Sequence, residues 1–199
     1  MPDATLPVIG GTMQTAAPLE QLSLQATNRP ARELARLALS GDMELAAPYQ
    51  RSSVWTARQR INLVRSWATR IPVPAVVINN RGTNDWTGER SFYCSVVDGK
   101  QRIETAVAWF DGKLAVPSSW FEAGACLTVV ATGDGDYVTF DGLHETQQRR
   151  FSNWAQLPVL EAQLPTVAAE AELYELINTG GTAQTDDDLA RASAIARRA

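Results

Sequence analysis

The chain has 199 residues, 45% of them hydrophobic, with six Trp and a formal net charge of −4. That length makes one domain, or one domain with a tail, and supports a sizeable core. The acidic balance excludes indiscriminate coating of nucleic acid, though not a local basic groove, and no apolar run reaches membrane-spanning length.

Residues 1–27 are rich in Ala, Thr, Pro and Gln and lack periodicity. They read as a flexible tail with one short strand at 22–24, so the domain proper is expected over 28–199. The start, Met1-Pro2-Asp3-Ala4, has neither the basic end nor the apolar stretch of a signal peptide, and a cytoplasmic protein is expected. Residues 30–40 predict a helix, with Pro30 in its first turn, Gly41 at its end and Leu34, Leu37 and Ala38 on its apolar face.

Thr56 predicts the N-cap of a second helix reaching position 70, with a stripe of Ile61, Val64 and Ala68. Pro72-Val73-Pro74 stops it, and 75–78 reads as a buried strand. The polar stretch 79–90 is a loop or hairpin. A strand over 92–97 runs into Asp98-Gly99-Lys100-Gln101-Arg102, and a helix follows over 101–110. Residues 126–131 and 137–140 flank Gly133-Asp134-Gly135-Asp136 and predict a hairpin. A calcium loop fails there, because the required central glycine falls on Thr139. A helix over 145–151, a strand over 157–163 and a helix over 168–177 complete the pattern. Thr185 then caps a last helix, with Asp186, Asp187 and Asp188 suiting its start. The fold class is α+β, a small mixed sheet flanked by helices.

The chemistry concentrates at the junction after residue 97. An apolar strand ends in Asp-Gly and a helix opens at once, so unpaired N–H groups and the positive helix end gather there. Such a start suits phosphate or another anion. Gly99 permits the tight turn and the close approach of an oxyanion. Lys100 and Arg102 add charge, and Arg102 can grip phosphate in a bidentate way. Asp98 can hold Mg²⁺, take a proton, or serve only as a structural cap. Further on, Asn178-Thr179-Gly180-Gly181-Thr182 joins two helices; its glycines suit an anion nest or a plain helix C-cap and connector.

Other chemistry is poorly served. The chain lacks a Walker loop, a dinucleotide glycine fingerprint, a zinc His-Glu-x-x-His and a nucleophile elbow. Its one histidine, His144, reads as a surface or helix-start residue. Cys94 and Cys126 read as buried reduced thiols. Arg58, Arg60, Arg65 and Arg70 on the second helix, with Arg29, Arg32, Arg36, Arg149 and Arg150 elsewhere, suit a solvated face better than a phosphate groove.

Three motifs in order carry a family resemblance. Asp98-Gly99-Lys100-Gln101-Arg102 resembles the Asp-Gly-Gln-Gln-Arg signature of the domain-of-unknown-function family 262. Tyr49-Gln50-Arg51 with Val54-Trp55 resembles its early block, and Leu176-Ile177-Asn178-Thr179-Gly180-Gly181-Thr182 its late one. That family supplies the N-terminal domain of GmrSD-type modification-dependent restriction enzymes and belongs to the ParB/sulfiredoxin-like fold. The resemblance spans about 44–190. The departures are Lys100 for Gln, and Glu175-Leu176 where Arg is common.

The resemblance implies a nucleotide-binding domain with NTP hydrolysis or phosphoryl transfer, in the service of modified-DNA recognition, restriction or phage biology. Catalysis would rest on Asp98 and Arg102. The nucleotide (ATP, GTP or CTP) would meet Arg51, Gly99, Lys100, Gln101, Asn178, Thr179, Gly180 and Gly181, with Mg²⁺ on Asp98. For Arg51 a surface position stacked on Trp55 stays open. The nuclease domain commonly attached in that family is expected to be missing here, so that cleavage would require a partner protein, or the domain acts alone. Two rivals stand beside this reading: a DNA-binding or regulatory module with a degenerate nucleotide pocket, and a ParB-like nuclease.

Overall fold

The computed structural model describes residues 18, 19, 21–50, 52 and 54–179. Arg51, Gly180, Gly181 and the helix expected after Thr185 lie outside the described residues. Eight strands and five helices make up the described chain, as two sheets with helices on both faces of the larger.

The larger sheet contains β1 (Gln25–Pro30), β2 (Met43–Glu44), β3 (Val76–Asn80), β4 (Cys94–Asp98) and β8 (Gln156–Ala162). Its order is β1-β8-β3-β4-β2. β8 runs parallel to β3, with Val76 opposite Val159, while β3 and β4 are antiparallel. The smaller sheet is β5 (Ala115–Pro117), β7 (Gly135–Thr139) and β6 (Val130–Thr132), all antiparallel.

Local signals explain most boundaries. Helix α1 (Ala31–Leu39) follows Pro30, and Gly41 turns the chain at φ +79°. Helix α2 (Ala57–Thr69) opens in a capping box: Gln59 N–H donates to Thr56 Oγ1 at 3.3 Å, and Thr56 N–H donates to Gln59 Oε1 at 2.8 Å. It closes at Arg70 in the left-handed region, with φ 59°. Helix α3 (Lys100–Phe110) carries the signature, and α4 (Glu145–Trp154) is capped by His144, whose Nδ1 accepts the Thr146 N–H at 3.2 Å. Helix α5 (Val167–Thr179) ends the described chain.

Helices α1 to α4 cover one face. Leu34, Val64, Trp67, Ile103, Trp109 and Phe151 pack there against Val76, Ile78, Val96 and Leu157. Each large side chain buried this way contributes on the order of 1.5–3 kcal/mol. Trp109 sits edge-on to Phe140, with centroids 5.8 Å apart. Successive strand residues face opposite ways, so Ser95 points away from that core and meets α5 on the other face.

Three strands differ from the sequence pattern. The first strand occupies Gln25–Pro30, not 22–24. It is an edge strand of mostly exposed residues, fixed by pairing with β8; Leu22 and Leu24 stay outside it and exposed. Strand β5 is too short to show alternation, and its one buried residue is Val116. A hairpin does turn at Gly133 and Asp134, but its first limb is Val130–Thr132 and not 126–131, with Cys126 bridged to Leu143 instead. Thr132 Oγ1 and Tyr137 OH both donate to Asp134. Both cysteines are free, and burial raises the Cys94 thiol pKa to about 11. Among the described residues no helix is long and apolar enough to cross a membrane.

Candidate functional site

The signature turn is shaped by packing as well as by sequence. Gly99 has φ +93°, and a Cβ there would lie 2.1 Å from Val76 Cγ1 on the neighbouring strand. Only glycine meets both demands. The N–H groups of Arg102 and Ile103 return to the Gly99 carbonyl at 2.9 and 3.2 Å and start α3.

A cavity of about 50 Å³ opens at this turn. Asp98, Gly99, Lys100 and Gln101 line it from the signature, Gln50 from the first motif, and Tyr174 and Asn178 from α5. Segments widely separated in the chain therefore share one wall. The described walls suit a group the size of a phosphate and fall well short of the several hundred Å³ typical of whole small-molecule sites. Thr179 ends α5 beside Asn178, with its side chain outside what is described.

Arg102 does not line the cavity. Its Nη2 donates to Asp98 Oδ2 at 2.8 Å and to the Ala75 carbonyl at 2.9 Å, and its Nε is buried without a partner. It ties the end of β4 to the chain entering β3. In this arrangement it holds Asp98 and does not present a fork to a ligand. The ion pair is half-buried, so Asp98 keeps access to solvent while one oxygen is engaged.

The first motif is stapled onto this turn. Gln50 Nε2 donates to the carbonyls of Val96 and Val97, the latter at 3.3 Å. Two carbonyl acceptors fix that amide's orientation, and its Oε1 is left buried without a partner. Trp55 donates its backbone N–H to Gln101 Oε1 at 3.1 Å. Tyr49 meets Tyr174 with ring centroids 5.6 Å apart, which joins the first motif to α5.

Beneath the cavity lies a polar cluster that the sequence pattern did not reveal. Glu170 is fully buried. Its Oε1 accepts from Asn79 Nδ2 at 2.7 Å, Arg81 Nε at 2.8 Å and Ser95 Oγ at 2.7 Å. Its Oε2 accepts from Arg81 Nη2 at 2.6 Å and Tyr49 OH at 3.2 Å. Arg81 reaches on to Glu44 at 2.6 Å and lies over the Trp86 ring at 4.6 Å. Burial alone would raise the Glu170 pKa, but the bonds from Arg81, Ser95 and Asn79 outweigh it and hold the carboxyl below its ordinary value. Burial and the Glu170 charge together push the Tyr49 phenol well above its ordinary value. A buried carboxylate with five donors is a fully satisfied anion, and removing one partner would cost more than any surface pair contributes.

Five further arginines are engaged one by one. Arg29 pairs with Glu161 at 2.6 Å, Arg60 with Glu104 at 3.6 Å and Arg149 with Glu145. Arg70 lies over Trp154 at 4.3 Å, and Arg32 over Phe140 at 5.4 Å. For these five the arrangement is that of individually paired side chains and not of a shared phosphate groove. Among the described residues no three His, Cys, Asp or Glu side chains gather as a metal site. Asp98 is the one carboxylate among the described cavity residues, so a cation there needs further oxygens from a ligand.

The model of the GmrSD restriction endonuclease N-terminal domain matches residues 37–195 and so takes in all three motifs. No curated protein and no solved structure matches the chain. With most of its length under that model, the chain belongs to the GmrSD restriction endonuclease N-terminal domain family, which links it to DNA restriction.

Proposed function

We propose that this domain binds a nucleoside triphosphate by its phosphates at the Asp98 turn, and that hydrolysis or phosphoryl transfer there serves a restriction system acting on DNA. The observation that carries the reading is the shared cavity: Gln50, the Asp98 to Gln101 turn and Asn178 line one wall. The start of α3 supplies the favourable dipole end, Lys100 supplies positive charge, and the small cavity suits a phosphate. Base and ribose would lie outside the described walls, and the expected contacts of Arg51, Gly180 and Gly181 with the nucleotide belong to the same proposal. A Mg²⁺ arriving with the phosphates would take Asp98 as its protein carboxylate, in keeping with the sparse protein ligation usual for this ion. The ParB/sulfiredoxin-like fold name, a separate nuclease partner and a cytoplasmic setting belong to the same proposal.

The engagement of Arg102 with Asp98 and the Ala75 carbonyl favours a second reading. In it the pocket binds a nucleotide without turning it over, and the domain is a regulatory, DNA-linked module. Titrating the full chain with labelled ATP, GTP and CTP and Mg²⁺, with and without DNA, separates the two. Binding with phosphate release supports the first reading. Binding without release supports the second. No binding of any nucleotide rejects both.

A further inference from the structure

Helix α5 is docked in an unusual way. Among its described side chains Glu170 alone is buried, so the residue that penetrates the fold is a carboxylate and not an apolar anchor. Leu176 and Ile177, the apolar residues of its last turn, are 63% and 38% exposed. Hydrophobic burial therefore does little to fix the far end of the helix. Glu170, Tyr174 and Asn178 are spaced by four and form one stripe. The first is gripped in the interior, the second meets the Tyr49 ring at a tilt of 47°, and the third stands at the cavity.

We infer that Glu170 is a positioning residue, whose carboxylate, held from β3, β4 and the first motif, sets α5 so that Tyr174 and Asn178 wall the Asp98 cavity. Each donor fixes a different coordinate of the helix. Asn79 binds both Glu170 and the Leu164 backbone on the approach to α5, donating to the Leu164 carbonyl at 3.2 Å and accepting its N–H at 2.7 Å. Arg81 fixes the carboxylate plane through two parallel bonds. Ser95 lies three residues before Asp98 on β4, so the strand that delivers the signature also holds the helix facing it. Tyr49 ties the same carboxylate to the residue next to Gln50. The position of α5 is thereby read against the two other motifs, and the part concerning ligand rests on the proposed function.

The test is amide hydrogen exchange on the full chain, comparing wild type, Glu170→Gln and Tyr49→Phe, followed by nucleotide titration of the same proteins. Glu170→Gln keeps the shape but sets an amide against five donors. Exchange across α5 should accelerate at least about ten-fold while α1, α2 and α3 keep their protection, as expected when one element opens locally. Tyr49→Phe removes one donor and should give the same pattern at a smaller factor. It also decides the question if Glu170→Gln fails to fold. The apparent Kd for the nucleotide that wild type binds should rise about ten-fold in Glu170→Gln, the loss of one tenfold step in affinity. Exchange that rises equally throughout the fold, or a loosened α5 with unchanged affinity, overturns the inference. A wild type that binds no nucleotide sinks the proposed function alone, and the exchange comparison then decides the inference.

Discussion

Gln101 accepts the backbone N–H of Trp55 at 3.1 Å, so a side chain of the signature helix holds the chain just before the cap of α2. The two residues belong to different motifs, 46 positions apart. Replacing Gln101 with Leu removes the acceptor and strands that N–H. We expect a loss of about 1–2 kcal/mol. A thermal melt should show it as roughly 2–4 °C per kcal/mol for a domain of this size. An unchanged melting temperature would show that this bond does not fasten the first motif.

Gly99→Ala tests whether the turn is fixed by packing. The new Cβ would meet Val76 Cγ1 at 2.1 Å in a backbone conformation that disfavours side chains. Strain and overpacking together should cost about 2–4 kcal/mol. Denaturant unfolding measures it. A variant as stable as wild type would mean that β3 yields to the turn.

Asp98→Asn and Arg102→Ala should part company. Arg102→Ala cuts the ties to Asp98 and to the Ala75 carbonyl, and should lower stability by about 1–3 kcal/mol. Asp98→Asn keeps the shape of the turn and leaves Arg102 an oxygen to bond. Its larger effect should fall on phosphate release, with kcat reduced more than nucleotide affinity. If Asp98→Asn instead weakens folding and leaves turnover intact, Asp98 is a cap.

The Glu170 cluster sets a pH dependence whose sign is fixed. The folded-state pKa of Glu170 lies below its ordinary value of 4.5, so its contribution is present above that value. It is lost as pH falls through the lower folded pKa, because protonation removes an acceptor from Arg81, Ser95 and Asn79. The neighbouring charges are Arg81 and Glu44, with the Tyr49 phenol neutral throughout this range. Exchange across α5 should therefore accelerate below about pH 4.5 in wild type and lose that step in Glu170→Gln. An identical acid profile in both proteins would locate the titration elsewhere.

The parts of this fold that the sequence announces are those with local causes. Thr56 and Gln59 form a capping box within four residues, and α2 starts where they predict. The strand running into Asp98-Gly99 and the helix after it lie within two residues of their expected limits. The sequence leads to the expectation that Arg51, the Asp98 to Arg102 turn and the Asn178 to Thr182 loop line one pocket. Asp98 to Gln101 and Asn178 do share a cavity, together with Gln50, which carries no signal of its own beyond its motif. Arg51 and Gly180 lie outside the described residues. The Glu170 cluster was not legible. Glu170, Glu172 and Glu175 look alike on a helix, and the partners that single out Glu170 lie 75 to 121 positions earlier in the chain. Arg81 gave no signal either, since Asn79 and Asn80 precede it and the stretch from 79 reads as a polar loop. The role of Arg102 was read from its place in the first turn of α3. Its side chain instead folds back to Asp98, an i, i+4 pairing that spacing alone allows but does not choose.

The pairing of β1 with β8 bears on how this chain is made. Arg29 on β1 and Glu161 on β8 form an ion pair across those strands, 132 positions apart in the chain. Ala31 N–H, at the start of α1, bonds the Ala155 carbonyl just ahead of β8. On a ribosome, residues 25–30 therefore leave the exit tunnel long before their partner strand exists, and the edge beside β3 stays open until β8 arrives. Closing so long a loop makes the last docking step slow relative to the helical contacts formed among α1, α2 and α3. The expected order is α1 to α3 with the β3–β4 pair first, and the β1–β8 pair only after β8 has emerged, which pulse-labelled hydrogen exchange during refolding would check.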